Sequence, residues 1–204
     1  MEKEISIFWF RRDLRLKDNA ALYHALSENA TILPIFIFDV DILNQLNDKY
    51  DRRVDFIHQA ISNIQQELIS LQSSLNVFHN KPINVFKQLL KDYKVKNVYA
   101  NHDYEPYARL RDKEIKELLA ATNIDFKTYK DQCVFEKDEV IKDDGKPYTV
   151  FTPYSNKWKK KLRAFYYRAY PTQNYFDRFL KQPQQAMLSL ESLGFKKTEI
   201  KLNA

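Results

Sequence analysis

Three arginines, Arg11, Arg12 and Arg15, crowd the end of an apolar run that closes with Trp9 and Phe10. Guanidinium groups at that density offer planar forks of N–H donors suited to an anionic ligand. A second polar cluster, Asn101-His102-Asp103-Tyr104-Glu105-Pro106, mixes carboxylates, an amide and an imidazole just ahead of a helical pattern. A third stretch, Tyr148 to Trp158, carries aromatics and runs into Lys157, Lys159, Lys160, Lys161 and Arg163. Basic residues interleaved with aromatics can contact phosphates and stack bases, and they can equally form a solvated helix face whose aromatics pack elsewhere.

Other chemistries are argued against by what these 204 residues lack. Neither a G-x-G-x-x-G turn nor a Walker loop follows any strand-like run, which weighs against a conventional dinucleotide or nucleoside triphosphate site. The same lack of a glycine-rich phosphate loop weighs against a small nucleotide-binding protein of the universal-stress type. Cys133 is the single cysteine, so no intramolecular disulfide forms, and His24, His58, His79 and His102 have no metal-ligand spacing. We expect no metal site, and Cys133 reads as a small residue in or near a strand. No apolar run nears the length of a membrane span and no signal-like segment opens the chain, from which we expect a cytoplasmic protein.

The elements that must position these residues alternate. Strand-like runs occur at Ile5 to Phe10, Thr31 to Phe38, Leu75 to His79, Asn97 to Asn101 and Ile124 to Tyr129. Several are apolar at every position, as in a parallel sheet covered on both faces. Helical patterns fill the gaps at Asn19 to Glu28, Arg53 to Leu71, Ile83 to Tyr93 and Pro106 to Ala121. Asp18 or Asn19 supplies the first cap, and Val54, Ile57, Ile61, Ile64, Leu68 and Leu71 form an apolar stripe in the second helix. This alternation predicts an α/β fold with a doubly wound sheet. Ligands of such sheets collect beyond the carboxyl ends of the strands, where Arg11 and the Asn101 cluster both fall. Pro106 suits the first turn of its helix, Asp103 and Glu105 favour the positive helix end, and Arg109 and Asp112 are spaced to pair.

After Tyr129 the pattern changes. Lys142 to Lys146 reads as a turn-rich loop, Tyr148 to Phe151 as a short β-prone piece, and Thr152 or Ser155 as the cap of a helix reaching about Arg168. The remainder, with Pro171, Pro183 and several glutamines, reads as a linker or an irregular crossing segment. Charge divides along the same line. The net charge is +6, with a balance of +8 from residue 141 onward and −2 before it, hinting at a basic surface able to face nucleic acid. We therefore divide the chain into an α/β domain at 1–130 and a segment at 131–204 that ends it and leads onward.

The run Trp9-Phe10-Arg11-Arg12-Asp13-Leu14-Arg15-Leu16-Lys17-Asp18-Asn19-Ala20-Ala21-Leu22 closely resembles the opening signature of the DNA photolyase and cryptochrome family. Three further matches follow in order: Pro34 to Asp39, Asn101 to Asp112 and Pro147 to Trp158. The resemblance implies a Rossmann-like sheet of five parallel strands that binds a light-harvesting antenna chromophore. It also implies an FAD-binding helical domain outside these residues, so that this stretch would not catalyse repair alone and holds no catalytic residue. Carried over by position, Arg11, Phe36, Arg53, Asp103 and Glu105 would line the antenna pocket. Phe36 would offer an aromatic wall, and the arginines and carboxylates would satisfy a ring's polar edge. Members with a folate antenna commonly carry an Asn-Glu pair where this chain has Tyr107 and Ala108, which ranks methenyltetrahydrofolate below a deazaflavin or flavin. The family's repair branch acts on pyrimidine dimers in UV-damaged DNA using blue light and FAD, and its sensory branch comprises cryptochrome photoreceptors. The motifs here are common to both. Residues contacting DNA are not assigned, and a monomer is expected.

Overall fold

A computed structural model describes residues 4–200. The strands are β1 (Glu4–Phe10), β2 (Ile32–Asp39), β3 (Asn76–Asn80), β4 (Lys94–Asn101) and β5 (Asp125–Tyr129). They form one parallel sheet in the order β3-β2-β1-β4-β5. Successive strands step from β1 outward to β3, and the chain then crosses back to lay β4 on the other side of β1. The β1/β4 boundary is thus the topological switch point, where open α/β sheets form their crevice.

The unbroken apolar character of the central strands is explained by covering on both faces. Along β1, Phe8 and Phe10 enter one core while Ile5, Ile7 and Trp9 enter the other, the two-residue alternation of a pleated strand. Along β2, Ile32, Phe36 and Phe38 share the first core, and Leu33, Ile35 and Ile37 the second. The first face is covered by α1 (Ala20–Glu28) and α3 (Arg52–Ser70), the second by α4 (Pro82–Asp92) and α5 (Pro106–Ala120). Asn19 caps α1 by accepting from the Leu22 amide, and Asp51 caps α3 through the Arg53 amide. Pro82 and Pro106 open their helices, where a missing N–H costs nothing.

Beyond this frame the structure adds one short helix and departs from the sequence reading around α6. A short helix, α2 (Val40–Leu43), follows β2 directly and is capped by Asp39. Tyr148 to Phe151 forms no strand: Phe151 begins α6 (Phe151–Lys161), and Pro153 falls in its first turn, where proline is tolerated. That helix stops at Lys161 rather than near Arg168, giving way to a 3₁₀ turn at Ala164–Tyr167, and Val150, not Thr152 or Ser155, stands at its cap. The glutamine-rich remainder crosses the α1/α3 face closely packed. Phe179, Leu190, Leu193 and Phe195 are buried in the first core, and the Leu180 amide donates to Ile32 O at 2.7 Å. Its apolar residues are too sparse and irregular to show helical or strand periodicity, and of the two readings, linker or irregular crossing segment, the second is the one found.

Candidate functional site

The polar cluster at the switch point is organised around Asp13. Its carboxylate accepts from the Arg11 amide at 2.9 Å, Asn19 Nδ2 at 2.9 Å and Asn101 Nδ2 at 2.6 Å. Asn101, at the end of β4, also donates to Asn19 Oδ1 and accepts from the Ala21 amide, both at 2.9 Å. One buried amide therefore fastens the β1 loop, the start of α1 and the end of β4 together. Asp18 completes the loop at φ 49°, a left-handed conformation that aspartate tolerates better than most residues. Its carbonyl accepts from Arg15, whose guanidinium also pairs with Asp131 at 2.9 Å.

Arg11 turns inward. Its side chain is 5 % exposed and forks onto Asp112 of α5 at 2.8 and 2.9 Å, while Nη1 also donates to Asn101 O at 3.2 Å. The guanidinium carbon lies 4.1 Å from the centroid of the Trp9 ring, and Arg111 lies 4.8 Å from it. Burial pulls the Arg11 pKa down and the Asp112 charge opposes it. The Arg11 Nε–H is buried without a partner among the described residues. The pairing expected between Arg109 and Asp112 is not formed, because Asp112 points toward the sheet edge and is held by Arg11 and Arg111.

Arg12, in contrast, is half exposed and reaches across to the β4–α5 loop, 2.6 Å from Glu105 and 3.5 Å from Asp103. It thereby bridges the loop after β1 and the β4–α5 loop. Of the two arginines, it is Arg12 whose guanidinium lies open at the mouth of the site.

A cleft of about 530 Å³ opens at the carboxyl ends of β1 and β2, within the range of small-molecule sites. All five carried-over residues line it: Arg11, Phe36, Arg53, Asp103 and Glu105. Phe36 is a buried wall, set edge-on to Phe38 with ring centroids 5.0 Å apart. Arg53 lies on the exposed rim, where Asp51 at 2.6 Å holds its pKa up. Sequence reasoning missed Ile42 and Leu43 of α2, Val54 and Ile57 of α3, and Tyr107 of α5. Val54 and Ile57 were legible only as core stripe, because the stripe extends one turn past the sheet and into the cleft. The Tyr107 hydroxyl crosses to Asp39 Oδ2 at 2.6 Å, and its pKa is raised by burial and by that carboxylate. Ala108 is buried. Apolar walls with a charged, amide-bearing rim form a slot for a planar ring with polar edges.

A smaller cavity of about 200 Å³ adjoins the cleft at the switch point, sharing Arg11, Arg12 and Asp103 with it. Farther off, α6 buries no side chain and leaves Phe151 exposed at 77 %; Phe165, in the turn beyond it, is exposed at 82 %. Trp158 and Tyr166 pack on Phe135, and Lys157 pairs with Asp143. Cys133 is exposed in the loop after β5, not set in a strand. Among the described residues no group of three or more metal-ligating side chains exists, and no helix is long and apolar enough to cross a membrane.

Comparison with known proteins agrees with this geometry. The family model described as DNA photolyase matches residues 6–174. The deoxyribodipyrimidine photo-lyase of a Synechococcus strain is 32 % identical over 153 residues, covering 75 % of this chain and 31 % of that protein. Cryptochrome-2 of Arabidopsis thaliana is 33 % identical over 166 residues, covering 79 % of this chain and 26 % of the relative. Among solved structures, the archaeal photolyase of Sulfolobus tokodaii, described with two FAD molecules and a novel light-harvesting cofactor, superposes with a TM-score of 0.67. It is 31 % identical, over 79 % of this chain and 36 % of that one. A class III photolyase of Agrobacterium tumefaciens, 20 % identical, has a TM-score of 0.79 over 98 % of this chain and 40 % of its own, a likeness of fold. The chain spans between about a quarter and two fifths of the length of these proteins.

Proposed function

The chain belongs to the DNA photolyase family, and from that premise we propose that it is the light-harvesting N-terminal domain of a deoxyribodipyrimidine photolyase. The full protein would use blue light and FAD to split pyrimidine dimers in UV-damaged DNA. The part played by these 204 residues is to hold an antenna chromophore, with residues 1–130 forming the antenna domain and 131–204 leading toward the FAD-binding domain. The exposed aromatics of Phe151 and Phe165 are then a face for that domain rather than a base-stacking surface.

The observation that carries this reading is the cleft beside the switch point, with its aromatic wall and its rim of Arg12, Asp103, Glu105 and Tyr107. Its size and apolar walls suit a deazaflavin or flavin ring, and the charged rim suits that ring's polar edge. Bound there, such a chromophore would absorb blue light and pass the excitation on. Phe36, Val54 and Ile57 would exclude water from its faces while the charged rim fixes its polar edge. A folate is disfavoured because Tyr107 is committed to Asp39 and Ala108 is apolar and buried, leaving no amide–carboxylate pair for a pterin.

Titration of the chain with 8-hydroxy-5-deazaflavin, flavin mononucleotide and methenyltetrahydrofolate tests this. Quenching or an absorbance shift with either flavin-type ligand in the low micromolar range is expected, with weaker folate binding. No response to either flavin at tens of micromolar would overturn the antenna reading. The second reading, the same domain of a cryptochrome, is kept by the plant cryptochrome's comparable identity. Dimer repair by the full-length protein in blue light decides between them.

A further inference from the structure

The small cavity at the β1/β4 boundary has a composition of its own. Its lining carries three cations, Arg11, Arg12 and Arg15, and three anions, Asp13, Asp103 and Asp131, together with the amides of Asn101 and Gln132. Every cation there already has a carboxylate: Arg11 holds Asp112, Arg12 holds Glu105, and Arg15 holds Asp131. A phosphate entering this space would have to displace one of those carboxylates and lie near the others. A hydroxyl faces no such conflict, because each one both donates and accepts, and the lining offers both donors and acceptors. The cavity has room for several hydroxyl-sized groups. The Gln132 side chain, exposed at the rim, makes no hydrogen bond among the described residues and is available to a newcomer.

This cavity and the larger cleft share Arg11, Arg12 and Asp103 in their walls, so a ligand in one lies directly beside the other. Resting on the flavin-type reading of the cleft, we infer that the small cavity is a polyol subsite, taking the uncharged polyhydroxyl chain of a ligand whose ring lies in the cleft. Asp13 and Asp131 accept from its hydroxyls, and Arg12 and Gln132 donate to them. The chain's hydroxyls then contribute to affinity independently of the ring, and a terminal phosphate contributes nothing further.

The test is a fluorescence titration of the 204-residue chain with lumiflavin, riboflavin and flavin mononucleotide, which share a ring and differ in the chain it bears. Riboflavin is expected to bind at least tenfold more tightly than lumiflavin, with flavin mononucleotide no tighter than riboflavin. Gln132→Ala, at an exposed position that leaves the fold intact, should weaken riboflavin several-fold and leave lumiflavin unchanged. Equal affinities for lumiflavin and riboflavin, or an equal effect of Gln132→Ala on both, would overturn the polyol subsite while leaving the ring site standing. Flavin mononucleotide binding tenfold tighter than riboflavin would overturn it in favour of a phosphate site. Failure of all three to bind would instead remove the flavin reading on which the inference rests.

Discussion

Replacing Asp112 by alanine leaves the buried Arg11 without its paired carboxylate and Arg111 with only Asp103, 3.8 Å away. Arg11 loses both arms of its fork at 2.8 and 2.9 Å, and Arg111 loses its 3.2 Å contact, while both guanidiniums remain over the Trp9 ring. Breaking a buried pair by removing one partner costs about 3–5 kcal/mol. Asp112 is 20 % exposed, so water recovers part of the lost solvation and a loss of about 3 kcal/mol is expected. For a chain of this length that corresponds to a fall in Tm of roughly 6–12 °C. Urea unfolding followed by circular dichroism measures the loss directly, as a lower midpoint at unchanged slope. The double substitution Arg11→Met with Asp112→Leu should recover at least half of it, since a well-packed apolar pair frequently matches a buried ion pair. A loss below about 0.5 kcal/mol for Asp112→Ala would refute the reasoning, for that is the scale of a surface pair.

Asn101→Ala should cost about 2–4 kcal/mol in the same assay, because it leaves the Asp13 carboxylate and the Ala21 amide short of buried partners. Asp55 makes a pH-dependent latch on the C-terminal segment. Burial acts to raise its pKa, but hydrogen bonds from Gln59 and from the Thr198 amide and hydroxyl hold it below the ordinary value. A depressed folded pKa gives stability that is present above the unfolded value near 4 and is lost as pH falls through the folded one. The protection factor of the Thr198 amide, its rate relative to the intrinsic rate at each pH, should therefore fall below about pH 4 by more than that of the fold as a whole, and Asp55→Asn should remove that dependence.

The sheet and its flanking helices were legible because the central strands are apolar runs and the long helix α3 carries a 3.6-residue stripe. Those patterns need no knowledge of partners. The cleft was legible in outline, since Arg11 and the Asn101 cluster both follow strands and so must meet at one sheet edge. Their individual roles were not. Which of two adjacent arginines turns inward depends on Asp112, about a hundred residues away, and nothing local to Arg11-Arg12 reports that. Val54 and Ile57 were hidden for the opposite reason, because an apolar residue on a core stripe and one lining a cleft have the same spacing. The segment 170–200 was legible as a linker or an irregular crossing segment, and pattern alone could not decide between the two. It packs through single apolar residues separated by prolines and glutamines, anchored by contacts such as Thr172 Oγ1 to Leu16 O at 2.7 Å that carry no sequence period.

The central claim is that the cleft beside β1 and β2 holds a planar chromophore. A crystal structure of this chain grown with flavin mononucleotide tests it most directly. The ring is expected against Phe36, between the α3 wall of Val54 and Ile57 and the β4–α5 loop, with its polar edge toward Arg12 and Glu105. A ring bound elsewhere on the chain, with the Phe36 cleft filled by water, would contradict it.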